Sequence, residues 1–336
     1  MTQPVIFGLS GHALTPDEAA LFRDADPAGY ILFARNCDTP DQVRALTDSL
    51  RTLSGRASLP ILIDQEGGRV ARLRPPHWPA FPPAARFAVL YDVAPISAMR
   101  AATLNAQAIG RTLADLGISV NCLPLLDVLD AEGHDIIGDR AYGDDPLRVA
   151  ALGRATLDGL RNAGVVGVVK HIPGHGRARA DSHLELPVVT VDRQALETDL
   201  RPFRTLAQAP MAMTAHVVYT AWDAQRCASV SPTVIEAVIR QSIGFDGWLM
   251  SDDLGMKALS GGMAARAQAV LAAGCDVALH CSGDFQEMQA IAGVLGAMSA
   301  QSAERLARAM AWPAAAPDSP ALADLIGERD ALLAAA

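Results

Sequence analysis

Residues Val165 to Pro187 read VVGVVKHIPGHGRARADSHLELP, and the reading of the whole chain turns on them. The opening run, Val165 to Val169, is apolar apart from one Gly, which describes a buried strand. It ends in Lys170 and His171. Pro173-Gly174-His175-Gly176 follows, a turn sequence that suits neither helix nor sheet. Asp181-Ser182-His183 comes a few residues later. Three of the chain's 8 His, one Lys and one Asp thus gather on one loop behind one buried strand. Titratable side chains at the C-terminal ends of barrel strands usually do chemistry.

The same grammar repeats on both sides of this stretch. Short apolar runs at Pro4 to Leu9, Gly29 to Phe33, Leu59 to Ile63 and Ile118 to Leu123 precede it. Met211 to Ala215, Trp248 to Met250 and Asp276 to His280 follow it. Helical segments are expected between them. Thr15 with Pro16 and Glu18 forms a capping signature, and Thr39-Pro40-Asp41 opens a second helix through about Thr52. Further helices are expected over Ala94–Leu116, Pro146–Ala163, Pro232–Ser242 and Ala264–Ala273, with Pro75–Pro83 and Asp130–Asp145 as loops. Strands alternating with helices imply parallel pairing through crossovers. Eight such units in 336 residues predict an α/β fold, a single-domain (β/α)8 TIM-type barrel. An open doubly wound sheet is the competing arrangement, but no GxGxxG follows a strand. The barrel is assigned to residues 1–311. Residues 312–336 are read as an Ala/Pro-rich linker, Trp312 to Pro320, and a C-terminal helix packing on the barrel.

Composition narrows the function. The chain is 50% hydrophobic, enough for a large core, and its 28 Lys+Arg against 37 Asp+Glu give a net charge of −9. Such a surface repels phosphate backbones, so no nucleic-acid partner is expected. The five Cys are scattered and never form CxxC, which fits a reducing compartment rather than a disulfide framework or zinc knuckle. The N-terminus has no basic region before its short apolar run, and nothing approaches the roughly 20 apolar residues of a spanning helix. A soluble cytoplasmic protein with no membrane partner is expected.

In a barrel, Asp64, Lys170, His171, His216 and Asp252 would converge on one mouth from different strand ends. Asp252 sits beside Asp253, and alternation along a strand lets only one of them face the mouth. An Asp there serves as a nucleophile, an electrostatic stabiliser or a helix N-cap. Asp181 and His183 are two apart, which puts them on one side of extended backbone. A carboxylate beside an imidazole fixes its tautomer and suits it to give a proton and take it back. A surface His beside an Asp-Ser turn is the plain alternative. His171, His175, Asp181 and His183 could instead hold a metal, but they lack the HExxH helical spacing. Asp64, Arg72 and Arg140 can clamp hydroxyls or a carboxylate. His216 reads more readily as a satisfied structural histidine. Trp78 and Trp222, in loops, could stack on a sugar.

Four segments taken together, IDQEGGRVARL (Ile63–Leu73), KHIPGHG (Lys170–Gly176), DSH (Asp181–His183) and MSDDLGM (Met250–Met256), resemble glycoside hydrolase family 3. More narrowly, they resemble its single-domain bacterial β-N-acetylglucosaminidases of the cell-wall recycling type. The resemblance runs from GYILFARN to AAGCDVAL. It implies a (β/α)8 barrel and a retaining, two-step reaction without cofactor or metal. Asp252 matches the nucleophile. His183 matches the acid/base, with Asp181 as its partner. Asp64, Arg72, Arg140, Lys170 and His171 match the residues that hold N-acetylglucosamine. The implied substrate is a small soluble GlcNAc-anhydroMurNAc muropeptide, and a monomer is expected. A retaining glycosidase normally needs two carboxyl groups roughly 5–5.5 Å apart. Here the second group must come from the barrel's own loops, and Asp181-His183 is the candidate. Ile172, Arg177 and Gly255 depart from the family pattern, and Arg177 adds a positive charge expected to lie beside the dyad and lower the His183 pKa. A β-glycoside phosphorylase, which a His acid/base would tolerate because it does not repel phosphate, and a non-catalytic sugar-binding barrel are the alternatives.

Overall fold

In the computed structural model, which describes residues 1–313 and 320–334, ten strands form in chain order: β1 Gln3–Gly8, β2 Pro27–Leu32, β3 Ile61–Ile63, β4 Val120–Asn121, β5 Val166–Ile172, β6 Val188–Val189, β7 Met211–Thr214, β8 Val218–Tyr219, β9 Trp248–Asp253 and β10 Val277–His280. Eight close into a barrel in the order β1-β2-β3-β4-β5-β7-β9-β10, with β10 returning to β1. Every pair is parallel. The expected (β/α)8 barrel is therefore the observed fold, and the doubly wound alternative falls. The two remaining strands, β6 and β8, form a separate small parallel ribbon.

Alternation along each strand builds two apolar layers. Ile6, Ile31, Leu62, Val120, Val166, Val168, Met211, Met213, Trp248, Met250, Val277 and Leu279 point inward and fill the barrel. Val5, Phe7, Tyr30, Leu32, Ile61, Ile63, Val169, Ala212, Leu249 and Ala278 point outward against the helices. The helix Ala300–Met310 closes the floor, with Ala309 buried against the inner cluster and Leu306 and Met310 packed on it.

The capping expectation holds atom by atom. Thr15 Oγ1 accepts from the Glu18 N–H at 3.1 Å, and Glu18 Oε2 accepts from the Thr15 N–H at 2.9 Å. The helix expected over Ala94–Leu116 is preceded by a second one, Ala84–Val93, and itself runs Pro95–Ala114. Pro95 has no N–H to continue a helix and instead starts one. The sequence reading also missed Arg193–Thr205, Phe285–Ala292 and Ala300–Met310. Arg193–Thr205 carries a Pro at 202 and mostly polar residues, which hides its narrow apolar stripe of Leu196, Leu200 and Phe203. Residues 314–319 of the expected linker lie outside the described residues. The helix Leu322–Leu333 packs against Pro95–Ala114, where Arg329 Nη1 donates to Asn105 Oδ1 at 3.0 Å. Among the described residues no helix is long and apolar enough to cross a membrane.

Candidate active site

The strand ends surround a cleft of about 420 Å³ at the C-terminal mouth of the barrel. Asp64, Arg72, Arg140, Lys170, His171, His183 and Asp252 all line it. Asp181 stands behind His183 rather than on the lining. Residues separated by up to 188 positions in sequence (252 − 64) are thus brought together, as the barrel expectation required.

One wall is an interlocked set of charges. Lys170, near the end of β5, is 2% exposed. Its Nζ donates to Asp64 Oδ1 at 2.8 Å and lies 2.7 Å from Glu66 Oε1. Arg140 Nε and Nη2 hold Glu66 in a bidentate fork, 2.9 Å each, the planar geometry that favours Arg over Lys for carboxylates. Arg72 Nη2 reaches Asp64 Oδ2 at 3.3 Å. Burial alone would raise the carboxyl of Asp64, but the Lys170 ammonium and then the Arg72 guanidinium outweigh it and hold the group ionised. Burial would likewise strip the proton from Lys170, and Asp64 and Glu66 reverse that. The Nε of Arg72 is buried without a protein partner among the described residues. Phe33 fixes the other side of this guanidinium: Arg72 and Arg35 each lie 5.0 Å from its ring centroid.

Behind this wall sits Asp127, fully buried. Its Oδ1 accepts from the backbone N–H of His171 at 3.1 Å and of His175 at 2.7 Å, and its Oδ2 lies 2.8 Å from His171 Nδ1. Burial raises its carboxyl, but His171 overrides this and brings it down to about 2. The remaining ring nitrogen of His171, Nε2, is the one available to a ligand.

On β9, Asp252 and Asp253 both border the cleft, against the expectation that only one would. They differ in what holds them. Asp253 Oδ1 accepts from the N–H groups of Gly255 and Cys281, at 3.1 and 3.0 Å, so it takes the turn-capping role considered for Asp252. Among the described residues Asp252 Oδ1 accepts only from the Asp253 N–H, at 2.8 Å. Burial works against its ionised form, but His216, His171 and that N–H hold its carboxyl below the ordinary value. His216 is buried as expected of a structural residue, with Nδ1 2.7 Å from Ser229 Oγ and Nε2 3.0 Å from the Asp253 carbonyl.

The opposite wall is the loop after β5. His183 Nδ1 lies 2.7 Å from Asp181 Oδ1, which also accepts the His183 N–H at 2.9 Å. Desolvation raises the Asp181 carboxyl, but these two hydrogen bonds from His183 bring it below its usual value. Arg177 is not beside this pair. Its guanidinium reaches Asp199 Oδ2 at 2.7 Å and Asp130 Oδ2 at 2.8 Å, so the expected positive charge on the dyad is neutralised elsewhere. Trp78 and Trp222 do not line the cleft. Glu66, Phe33 and His175 do, and the sequence reading gave none of them a role in binding sugar. Glu66 was visible only as a polar neighbour of Asp64. Among the described residues no group of three or more His, Cys, Asp or Glu side chains could hold a metal ion.

An eight-stranded parallel barrel with ionised carboxylates, cations and a His–Asp pair at its C-terminal mouth defines a glycoside-hydrolase class of site. The model of the glycosyl hydrolase family 3 N-terminal domain matches residues 9–310, and the chain belongs to that family. A protein named Beta-hexosaminidase from Thiobacillus denitrificans is 36% identical, across 98% of this chain and 92% of its own length. Another of that name from Alkalilimnicola ehrlichii is 41% identical, across 83% and 80%. The crystal structure of NagZ from Neisseria gonorrhoeae in complex with N-trifluoroacetyl-D-glucosamine matches with a TM-score of 0.88 at 29% identity, covering 99% of this chain and 98% of that one.

Proposed function

We propose that this glycoside hydrolase is a retaining exo-β-N-acetylglucosaminidase that removes terminal GlcNAc from small muropeptides such as GlcNAc-anhydroMurNAc. The observation that carries the reading is the placement of an ionised Asp252 in the same cleft as a His183 whose Nδ1 is taken by Asp181. Asp252 attacks the anomeric carbon and forms a glycosyl ester. In the same step the protonated His183 gives its Nε2 proton to the leaving oxygen, so the aglycone departs as a neutral alcohol. The neutral imidazole then takes a proton from water, the hydroxide displaces Asp252, and both groups return to their starting states. Asp181 keeps the Nδ1 proton in place throughout and stabilises the imidazolium. Asp64, Arg72, Arg140, Lys170 and His171 hold the sugar. Lys170 has one N–H beyond its two carboxylates, and His171 offers Nε2. The same reading treats residues 1–311 as the catalytic barrel and 312–336 as an appendage. It takes a monomer acting in the cytoplasm, in keeping with five free cysteines.

The test is hydrolysis of an aryl β-N-acetylglucosaminide beside the matching β-glucoside, in inert buffer and in phosphate. Selective release of GlcNAc, independent of phosphate, is expected. A sugar 1-phosphate product in phosphate would replace hydrolysis by phosphorolysis, and cleavage of neither substrate would leave an altered substrate or a sugar-binding role.

A further inference from the structure

Asp181, Ser182 and His183 are consecutive, but their surroundings differ. His183 is exposed and Asp181 half-buried, whereas Ser182 is 3% exposed. The Ser182 side chain turns inward, and its Oγ lies 3.1 Å from His175 Nε2. His175 is fixed in turn, because its backbone N–H donates to the buried Asp127. Burial, and then the charge of His171, bring the His175 imidazole down to about 4, so at neutral pH it is uncharged. A neutral ring and a hydroxyl match in either tautomer, since each offers one donor and one acceptor.

The rest of the loop explains why this bond matters. Residues 174–178 are anchored on every side. Tyr219 donates to the Gly174 carbonyl, and Arg177 is held by Asp130 and Asp199. The Ala178 carbonyl accepts from the His134 N–H. Gly176 packs so closely that a Cβ there would sit 1.7 Å from the Val128 carbonyl oxygen. From Arg179 to Leu186, two side-chain polar contacts among the described residues tie the loop back. One is the solvent-exposed Arg179–Glu132 ion pair. Exposed pairs contribute little. The other is the buried Ser182–His175 hydrogen bond.

We propose that Ser182 and His175 are positioning residues for the Asp181–His183 pair: their hydrogen bond is a latch that sets how far His183 reaches into the cleft. Through Asp127, which also holds His171, the latch joins the sugar-binding wall to the proton-transferring loop. The inference rests on the acid/base reading of His183.

The test compares kcat/KM, which covers only the steps through glycosyl-enzyme formation, on a GlcNAc disaccharide, whose leaving group needs a proton, with kcat/KM on an aryl GlcNAc bearing a good leaving group. Ser182→Ala is expected to slow the disaccharide about tenfold, the equivalent of one buried hydrogen bond. The aryl substrate is expected to change by less than about twofold. Ser182→Thr restores the disaccharide rate, and His175→Gln reproduces the leaving-group dependence should Ser182→Ala fold poorly. A merely structural role would lower both rates together, and that result, or an unchanged disaccharide rate, overturns the latch. His183→Ala is measured in parallel. If it too shows no leaving-group dependence, the acid/base assignment has failed. If it shows the dependence and Ser182→Ala does not, the latch alone has failed.

Discussion

On one side of the cleft, Asp64, Glu66, Lys170 and Arg140 are bonded to one another with little exposure to solvent. On the other, the side chain of His183 is 60% exposed and leans on one carboxylate. The first wall is carried by strands β3 and β5 and the loops beside them, and its charges neutralise each other in place. The second hangs from a loop anchored mainly at its base. A set of buried ions is committed to one geometry, because breaking any pair strands an uncompensated charge. An exposed imidazole can shift at little energetic expense. The wall proposed to hold the sugar is therefore preorganised, and the wall proposed to transfer the proton can adapt to different leaving groups.

The largest expected effect falls between the walls. Asp252→Ala is predicted to lower turnover on the order of 10⁴-fold or more, as loss of a nucleophile does. Its melting temperature should stay close to that of the wild type, because among the described residues Asp252 accepts a single neighbouring N–H. A variant that keeps most of its activity would refute the nucleophile assignment. The next effect separates the walls directly. Lys170→Met keeps the stem and removes the charge, leaving Asp64 and Glu66 facing each other without their shared cation. A loss of about 3–5 kcal/mol in urea unfolding is expected, whereas His183→Ala should stay within about 0.5 kcal/mol. Equal stability changes would break the contrast.

The third effect depends on pH and is smaller. The folded-state pKa of His175 is about 4, below its ordinary value, so the unfolded chain gains a proton first as the solution is acidified. Its contribution is therefore intact above about pH 6.5 and is lost as pH falls toward 4, by up to about 3 kcal/mol. Asp199, raised by burial to about 6, works in the opposite direction, since its folded form binds the proton more readily. The readout is thus the difference in unfolding free energy between wild type and His175→Gln at pH 7 and pH 4.5. A difference that does not change with pH would show that His175 titrates normally.

The barrel was legible because each strand is a short apolar run bounded by turn residues, a signal local enough to read one segment at a time. The helix Arg193–Thr205 was not, because its stripe is narrow and interrupted by Pro202. The residues at the mouth were legible as polar residues closing strands. Their partnerships were not. Lys170 meets Asp64 across 106 positions, and Arg140 meets Glu66 across 74, so the hub at Glu66 exists only once the barrel has closed. Arg177 shows the opposite error. Sequence proximity suggested that its charge lies on His183, but two carboxylates from other segments hold it. Ser182 looked like filler between two catalytic candidates, and only its burial reveals which way it turns.

The chain contains two lysines, Lys170 and Lys257. Lys257 is exposed, while Lys170 is enclosed and kept protonated by Asp64 and Glu66. An amine-directed reagent attacks only the unprotonated form. It therefore modifies Lys257 readily, and Lys170 only during excursions that pull the buried cluster apart. Two labelling rates on one molecule would then time the opening of this charged wall against a built-in surface standard.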